Sequence, residues 1–357
     1  MGFEENLRRV TPYVPGEQPK AAGIIKLNTN ECPYPPSPKV REVLKGFDAD
    51  SLRLYPDPEG TALKEALSAA YGLAKEQVFL GVGSDEVLAL AFQTFFAGRK
   101  PVLFPAITYS FYPVWAELYR IPYKQLPLKD GFQIDAGDFQ ADNGGIVIPN
   151  PNAPTGVLLP LSEVESILKA NQDSVVIIDE AYIDFAWDFA SGKPGENPFS
   201  AVSLIDKYEN LLVVQTFSKS RSLAGLRVGM AFGNAKLIKY LSDVKYSFNS
   251  YTMNRLSIAC GAAAVQDSVY FSEIVSKIIN TREAFKQELR ARGWSFPDSK
   301  TNFLFARPPK GNAKELFEAL KRKNIYVRYF PAAETAEYLR ITIGTEEQMQ
   351  ALFKELN

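Results

Sequence analysis

The chain has 357 residues, of which 46% are hydrophobic, so its length and composition predict two domains with sizeable cores. Its 40 basic and 41 acidic side chains give a formal net charge of -1, which argues against a nucleic-acid or membrane-surface partner. Histidine is absent from the sequence, and this excludes catalytic Ser-His-Asp and Cys-His systems and zinc sites with histidine ligands. Proton transfer in an enzyme of this composition falls to Lys, Tyr, Asp or Glu.

The cysteine count and the hydropathy of the chain predict a cytoplasmic protein. The two cysteines, Cys32 and Cys260, are far apart in sequence, do not form a disulfide framework and fit a reducing compartment. The first ten residues, MGFEENLRRV, show no apolar segment of the kind found in secretory signals. No apolar run approaches the ~18 residues that a membrane helix needs.

The elements predicted along the chain indicate an α/β protein. Proline is concentrated in the first 40 residues, which predicts an extended arm. The apolar spacing of residues 61–71 predicts an amphipathic helix. Short apolar runs then alternate with helical patterns, which is typical of βαβ units and of a mostly parallel sheet buried between helices. The predicted strands are 78–81, 101–104, 145–149, 174–179, 211–217 and 227–233.

The pattern changes after about residue 245. A long helical region at 268–292 is followed by a second helix at 313–323 and by short strand-like runs, which together predict a smaller α+β domain. The expected limits are 1–35 for an N-terminal arm that joins the small domain, 36–244 for the large domain and 245–357 for the small domain.

Polar and charged residues follow two of the predicted strands. Asp179 ends the buried strand SVVIID, and ligands in open α/β sheets bind beyond the carboxyl ends of the strands. The segment TFSKSRSLAGLRVG places Ser218, Lys219 and Arg227 beyond the next strand. A hydroxyl and an arginine suit a phosphate, and a lysine beside them suits a carbonyl group. Taken singly, Asp179 is better explained as a turn former, and the basic segment as a solvated loop.

Two turns are further candidates for the same site. In FLGVGSDEVLAL, the residues Gly83, Ser84 and Asp85 lie between a predicted strand and a predicted helix, where free N–H groups can bind an anion. An ordinary capped helix explains this turn equally well. The sequence PNPNAPTG at 149–156 follows another predicted strand, and turn chemistry alone accounts for it.

Together these segments resemble fold-type I aminotransferases that use pyridoxal 5'-phosphate (PLP), and within them the histidinol-phosphate aminotransferases. The resemblance runs from about Tyr13 to the C-terminus. It implies a large domain whose mostly parallel central sheet is sandwiched by helices, and a smaller α+β domain. The motifs that carry it are YPDPEG, GVGSDE, PAITY, NPNAPTG, VVIIDEAY, TFSKSRSLAGLRVG and LRITIGT.

The resemblance implies a cofactor role for each matching residue. Lys219 would form an imine with PLP and later move the proton between substrate and cofactor. Asp179 would pair with the ring nitrogen and keep it protonated. Tyr182 would hydrogen-bond the phenolic oxygen of the ring, and Tyr109 would stack on the ring face. The cofactor phosphate would be bound by Gly83, Ser84, Asp85, Ser218 and Arg227.

The same resemblance implies substrate-binding residues and a homodimer. Arg340 matches the arginine that binds the substrate carboxylate, and Arg328 matches a second arginine that contacts substrate phosphate. Tyr13 matches an active-site tyrosine of the N-terminal arm. Tyr55, in YPDP, would reach the cofactor phosphate of the neighbouring subunit. The expected partners are therefore small molecules and a second copy of the chain, with no metal, nucleic acid or membrane.

One position departs from the family pattern. The family usually has an asparagine immediately before Pro-Thr-Gly that donates to the phenolic oxygen of PLP, and this chain has Ala153 there. We expect that Tyr182 makes this contact alone or that Asn152 rotates into it. Because a donor favours the deprotonated imine, its loss is expected to raise the imine pKa.

The reaction that the resemblance implies is amino transfer from histidinol phosphate to 2-oxoglutarate, in histidine biosynthesis. Threonine-phosphate decarboxylases and aromatic aminotransferases share the cofactor and much of the motif set, so both stay open as alternatives. A PLP-binding regulatory module fused to a DNA-binding domain is disfavoured, because no helix-turn-helix extension is visible and the charge is balanced. A catalytically inactive paralogue would be expected to lose Lys219 or Asp179, and both are present.

Overall fold

The computed structural model describes residues 2–20, 23–187 and 194–356. Within these ranges the strands form a central sheet of seven, a second sheet of three and a pair. The strands are β1 (Ile25–Lys26), β2 (Val78–Gly81), β3 (Val102–Pro105), β4 (Tyr123–Leu126), β5 (Gly145–Pro149), β6 (Val176–Asp179), β7 (Leu211–Thr216), β8 (Gly229–Gly233), β9 (Phe303–Ala306), β10 (Ile325–Tyr326), β11 (Arg328–Tyr329) and β12 (Leu339–Thr342). The helices are α1 (Pro38–Lys45), α2 (Thr61–Tyr71), α3 (Gly83–Phe95), α4 (Phe111–Tyr119), α5 (Leu161–Ala170), α6 (Ala235–Phe248), α7 (Arg255–Val265), α8 (Ser268–Ala291), α9 (Ala313–Arg322) and α10 (Glu346–Glu355).

The central sheet confirms the predicted mostly parallel arrangement. Its order is β2-β8-β7-β6-β5-β3-β4, and β8 alone runs antiparallel to its neighbours. The central strands β5, β6 and β7 are buried along their whole length and mostly apolar, because helices cover both faces of the sheet. In β5, for example, Ile146 and Ile148 pack into one hydrophobic cluster and Val147 packs into the cluster on the opposite face.

The direction of β8 determines where the candidate site lies. Gly229, its first residue, pairs with Gly81 at the end of β2 and with Thr216 at the end of β7. The segment 217–228, which connects β7 to β8, therefore stays at the carboxyl edge of the parallel strands. Asp179 ends β6 at the same edge.

The C-terminal part of the chain has a separate core, to which the N-terminal arm is attached. Strands β9, β12 and β11 form an antiparallel sheet, and β1 of the arm pairs in parallel with β10. Leu27, just beyond β1, packs into the hydrophobic cluster of this second core. No helix in the described ranges is both long and apolar enough to cross a lipid bilayer.

The domain limits predicted at residues 35 and 244 stay predictions. Helix α7 lies beyond the second limit, and its residues Ile258 and Cys260 pack into a cluster that lies against the central sheet. By packing alone, the larger core extends to Val265.

Candidate active site

A cavity opens at the carboxyl edge of the central sheet, and it gathers most of the residues that the sequence indicated. Strand ends, the N-terminus of α3 and the β7–β8 segment all contribute side chains to its wall. The predicted residues that line the cavity are Ser84, Asp85, Tyr109, Asp179, Tyr182, Ser218, Lys219 and Arg227.

Asp179 is a buried carboxylate on the wall of this cavity. It is 5% exposed, and its Oδ2 accepts a hydrogen bond of 2.7 Å from the hydroxyl of Tyr112 in α4. Its Oδ1 accepts a bond of 3.2 Å from the N–H of Ala181. Burial raises the pKa of Asp179 to about 6. Asp179 forms no ion pair with a basic side chain of the described residues. A cationic ring nitrogen placed against Asp179 would supply this missing charge partner.

Lys219 lies directly beyond β7 on the same wall. Its Nζ donates a hydrogen bond of 3.1 Å to the carbonyl oxygen of Thr29 and lies 5.7 Å from the ring centroid of Tyr182. None of the ion pairs formed by the described residues involves this amine. Lys219 is therefore placed to react with a carbonyl group in the cavity.

Glycines allow an anion cradle to form between α3 and the start of β8. A Cβ atom on Gly83 would lie 2.5 Å from Nη2 of Arg227, and a Cβ atom on Gly229 would overlap with the backbone of Gly83. Arg227 reaches this place with its Nη2 3.2 Å from Oδ2 of Asp85 and its Nη1 3.5 Å from Oγ of Ser218. Free N–H groups of a helix start, a hydroxyl and an arginine fork together suit a phosphate.

Two tyrosines border the space between the cradle and Lys219. The hydroxyl of Tyr109 donates a bond of 2.8 Å to Oδ1 of Asp85, and burial raises the pKa of Tyr109. The hydroxyl of Tyr182 accepts a bond of 2.9 Å from Nδ2 of Asn30. Both rings can contact a flat ligand held by Lys219.

The two predicted substrate arginines lie side by side on neighbouring strands. Arg328 of β11 is paired in register with Arg340 of β12, and both guanidinium groups lie near the ring of Phe330, at 5.6 and 5.5 Å from its centroid. Nη2 of Arg340 donates a hydrogen bond of 2.9 Å to the carbonyl oxygen of Asn28, while the buried Nε of Arg340 has no hydrogen-bond partner. Burial, and then the charge of Arg328, lower the pKa of Arg340. This is an environment that favours binding of an anion.

Three further predicted residues, like Gly83 and the two arginines, do not line the cavity. Tyr13 stacks on Phe111 of α4, with the ring centroids 4.1 Å apart. Tyr55 is 77% exposed and stacks on Tyr251. Asn152 is fully buried, and its Nδ2 donates 3.0 Å to the carbonyl oxygen of Ile107 and 3.0 Å to the hydroxyl of Thr155.

Asn152 is thus engaged away from the cavity, whereas Ala153 lines it. The side-chain donor expected before Pro-Thr-Gly is therefore absent from the wall. The orientation of the two residues follows from the turn, in which Asn152 bonds the backbone of Val157 and Gly156.

The structure adds residues that the sequence did not single out. Tyr112 supports Asp179, and the neighbours Asn28, Thr29 and Asn30 contact Arg340, Lys219 and Tyr182. Tyr112 could have been suspected from its place in the aromatic run TYSFYPVW. No pattern in LNTNECP indicates contacts with residues so distant in the chain.

Comparisons with known proteins show the family to which the chain belongs. The family model described as aminotransferase class I and II matches residues 22–356. A histidinol-phosphate aminotransferase of Lactococcus lactis subsp. cremoris (strain MG1363) is 51% identical over 356 residues, covering 100% of this chain and 97% of that protein. A histidinol-phosphate aminotransferase of Pseudomonas putida (strain W619) is 51% identical over 351 residues, covering 98% of each chain.

Solved structures share the fold at low identity. The histidinol-phosphate aminotransferase of Clostridium acetobutylicum superposes with a TM-score of 0.84 at 21% identity, covering 93% of this chain and 98% of that one. The enzyme of the same name from Sinorhizobium meliloti, solved in complex with pyridoxal-5'-phosphate, gives a TM-score of 0.82 at 22% identity, covering 93% and 89%. With a family match over nearly its whole length, the chain belongs to the class I and II aminotransferases.

Proposed function

We propose that this chain is a PLP-dependent enzyme of histidine biosynthesis that transfers the amino group of histidinol phosphate to 2-oxoglutarate. Relatives that are 51% identical over the full chain are named histidinol-phosphate aminotransferases. The observation that carries the substrate assignment is the pair Arg328 and Arg340, which lie side by side and form no ion pair with a described carboxylate.

The position of Arg340 relates this pair to the reacting centre. The adjacent carbonyl oxygens of Asn28 and Thr29 accept hydrogen bonds from Arg340 and from Lys219, respectively. An anionic substrate group bound by the arginines would therefore lie close to the amine of Lys219. The phosphate of histidinol phosphate and a carboxylate of 2-oxoglutarate are both anions that guanidinium groups bind through paired hydrogen bonds.

The residues around the cavity fit PLP. When bound, PLP supplies an electron-accepting ring that stabilises negative charge on the substrate carbon. Asp179 would hold a proton on the ring nitrogen, and the cradle of Gly83, Ser218 and Arg227 would bind the phosphate. Lys219 would hold the coenzyme through its amine and, once released, move a proton at the substrate carbon.

The apolar surface around Tyr55 supports the proposal of a homodimer. The ring of Tyr55 stacks on that of Tyr251, which is 47% exposed. The apolar residues near these two in the sequence, Leu52, Leu54 and Phe248, are 59%, 50% and 70% exposed. Clustered exposed apolar side chains mark an interaction surface. We propose that a second copy of the chain covers this surface and that Tyr55 reaches the partner's cofactor phosphate.

Steady-state kinetics with competing amino donors test the proposed reaction. We expect kcat/KM for histidinol phosphate to exceed that for phenylalanine and for threonine phosphate, with 2-oxoglutarate consumed and no carbon dioxide released. Carbon dioxide release from threonine phosphate, or a preference for phenylalanine, would support one of the two alternative reactions instead.

Matched arginine variants test the substrate assignment. Arg328→Gln should lower kcat/KM for histidinol phosphate by roughly 10- to 100-fold, because a charged hydrogen bond is lost. Arg290→Gln is the control, since Arg290 is exposed and lies 5.1 Å from the ring centroid of Phe296, a comparable stacked contact outside the site. Equal kinetics for the two variants would contradict the assignment.

A further inference from the structure

Three consecutive residues of the N-terminal arm each contact a different residue of the site. Asn28 and Thr29 accept hydrogen bonds from Arg340 and Lys219 through their carbonyl oxygens, as described above. Asn30 uses its side chain, and its Nδ2 donates 2.9 Å to the hydroxyl oxygen of Tyr182. Asn30 is therefore the member of this segment whose contact a substitution can remove.

The amide of Asn30 is fixed in one orientation by Thr342 of β12. The backbone N–H of Asn30 donates a hydrogen bond of 3.1 Å to Oγ1 of Thr342. The hydroxyl of Thr342 therefore accepts this bond and can donate its own proton to another acceptor. The hydroxyl of Thr342 donates this proton to Oδ1 of Asn30, in a hydrogen bond that is also 3.1 Å long. With its oxygen facing Thr342, the amide must present its nitrogen to Tyr182.

The backbone of Asn30 is held just as firmly. Its carbonyl oxygen accepts 3.0 Å from Nδ2 of Asn302, and the residue is 1% exposed. Its φ of 55° lies in the left-handed region, which asparagine tolerates better than most residues. The hydrogen bonds with Thr342 and Asn302 therefore hold the amide of Asn30 in a fixed position as a donor.

The hydrogen bond from Asn30 determines the direction in which the hydroxyl of Tyr182 donates its proton. A phenol has one proton, and the amide of Asn30 occupies an acceptor position of its oxygen. That leaves the Tyr182 proton to be donated into the cavity, which Tyr182 lines. Ala153 on the cavity wall offers no side-chain donor, and Asn152 is engaged elsewhere. Tyr182 is then the side chain available to donate to the phenolic oxygen of a bound coenzyme.

We propose that Asn30 is a positioning residue that acts through Tyr182, directing the phenol proton onto the phenolic oxygen of PLP and so favouring the deprotonated coenzyme. The inference rests on the proposed function, because it requires PLP bound at Lys219. It assigns to the arm and to β12 an influence on the protonation of the coenzyme in a chain that lacks the usual asparagine.

Spectroscopic pH titration of the PLP-loaded enzyme tests this role. Asn30→Asp keeps the size of the side chain but turns the donor into an acceptor that competes for the Tyr182 proton. Asn30→Gly removes the amide and suits a positive φ. Both variants should raise the midpoint of the absorbance change of PLP bound to Lys219 by about one pH unit, as expected for the loss of one charge-assisted hydrogen bond.

The matched control is Asn324→Gly, because Asn324 also has a positive φ, of 59°, and lies at the turn before β10 rather than in the site. It should leave the midpoint unchanged. In a Tyr182→Phe background the midpoint should already be raised, and Asn30→Gly should add no further shift. Introducing Ala153→Asn into the Asn30→Gly enzyme should lower the midpoint again, since it supplies a new donor.

Each contrary result has a distinct meaning. If Asn30→Gly binds PLP at Lys219 and titrates as the unchanged enzyme does, or shifts the midpoint by the same amount without Tyr182, the positioning role is overturned. If the unchanged chain shows no PLP absorbance at all, the proposed function fails together with this inference.

Discussion

At the residue scale, Asp179 shows how the site prepares for a cationic ligand. Its carboxylate accepts hydrogen bonds from Tyr112 and Ala181, but neither donor carries a charge. Burial therefore dominates and raises its pKa to about 6 in the coenzyme-free chain. Folding without the coenzyme carries a cost at neutral pH that a protonated ring nitrogen would offset.

This cost gives a prediction for the stability of the coenzyme-free protein. Folding raises the pKa of Asp179 from 3.8 to about 6. The contribution of this residue to the stability of the folded protein is therefore complete below about pH 4 and is lost as the pH rises through 6. Asp179→Asn should therefore gain stability relative to the unchanged chain by roughly 2 kcal/mol between pH 4 and pH 7. Urea unfolding at the two pH values measures the difference.

Glu180 does not interfere with this comparison. Burial raises its pKa to about 7, but it titrates in both proteins and its contribution cancels. The prediction would be wrong if the difference in unfolding free energy between the two proteins were the same at pH 4 and pH 7.

At the scale of elements, the site depends on how closely β8 approaches the start of α3. Gly229→Ala places a methyl group against the backbone of Gly83, where the N–H groups for the phosphate lie. We expect this variant to bind PLP at least tenfold more weakly, because the cradle must open. Equilibrium titration with PLP measures the affinity.

Gly225→Ala is the matched control for the cradle, since a Cβ atom on Gly225 would meet nothing within 4 Å. It should bind PLP as the unchanged chain does. Equal affinities for the Gly225 and Gly229 variants would show that the close approach does not shape the phosphate site.

The central elements were predictable because they are buried on both faces and give continuous apolar runs. The prediction at 78–81 matches β2 and that at 145–149 matches β5. Strand β4 was missed because it is an edge strand whose Lys124 and Gln125 are exposed, so it has no apolar run. Helix α4 was missed as well, because Pro113 in its first turn argues against a helix, although Tyr112, Trp115 and Ala116 are buried at helical spacing.

The site could be predicted as far as local motifs carry it. The resemblance indicated eight of the residues that line the cavity, and the structure brings these eight together. The roles of Asn30 and Tyr112 could not be predicted, because both depend on contacts between distant parts of the chain. The engagement of Asn152 with Ile107 depends on the neighbouring loop in the same way.

At the scale of the whole molecule, the surface around Tyr55 predicts an active site shared between two chains. Tyr55→Ala and Lys219→Ala homodimers should each be impaired. A hybrid dimer of the two contains one intact site, because each chain supplies the residue that the other lacks. Mixing the impaired proteins under conditions of subunit exchange should therefore restore activity to about a quarter of the unchanged enzyme's.

Sedimentation of the unchanged enzyme is the control for this experiment and should give a dimer. A monomer, or a mixture that stays as inactive as its components, would contradict the proposed contribution of Tyr55 across the interface.

The most direct measurement of the central claim is chemical reduction of the PLP-loaded protein followed by peptide mapping. Borohydride should fix the coenzyme to the peptide that contains Lys219, and Lys219→Ala should lose both the absorbance and the adduct while slowing turnover by more than ~10²–10⁴-fold. An adduct on another lysine, a protein that stays colourless with PLP, or near-normal turnover of Lys219→Ala would contradict the account.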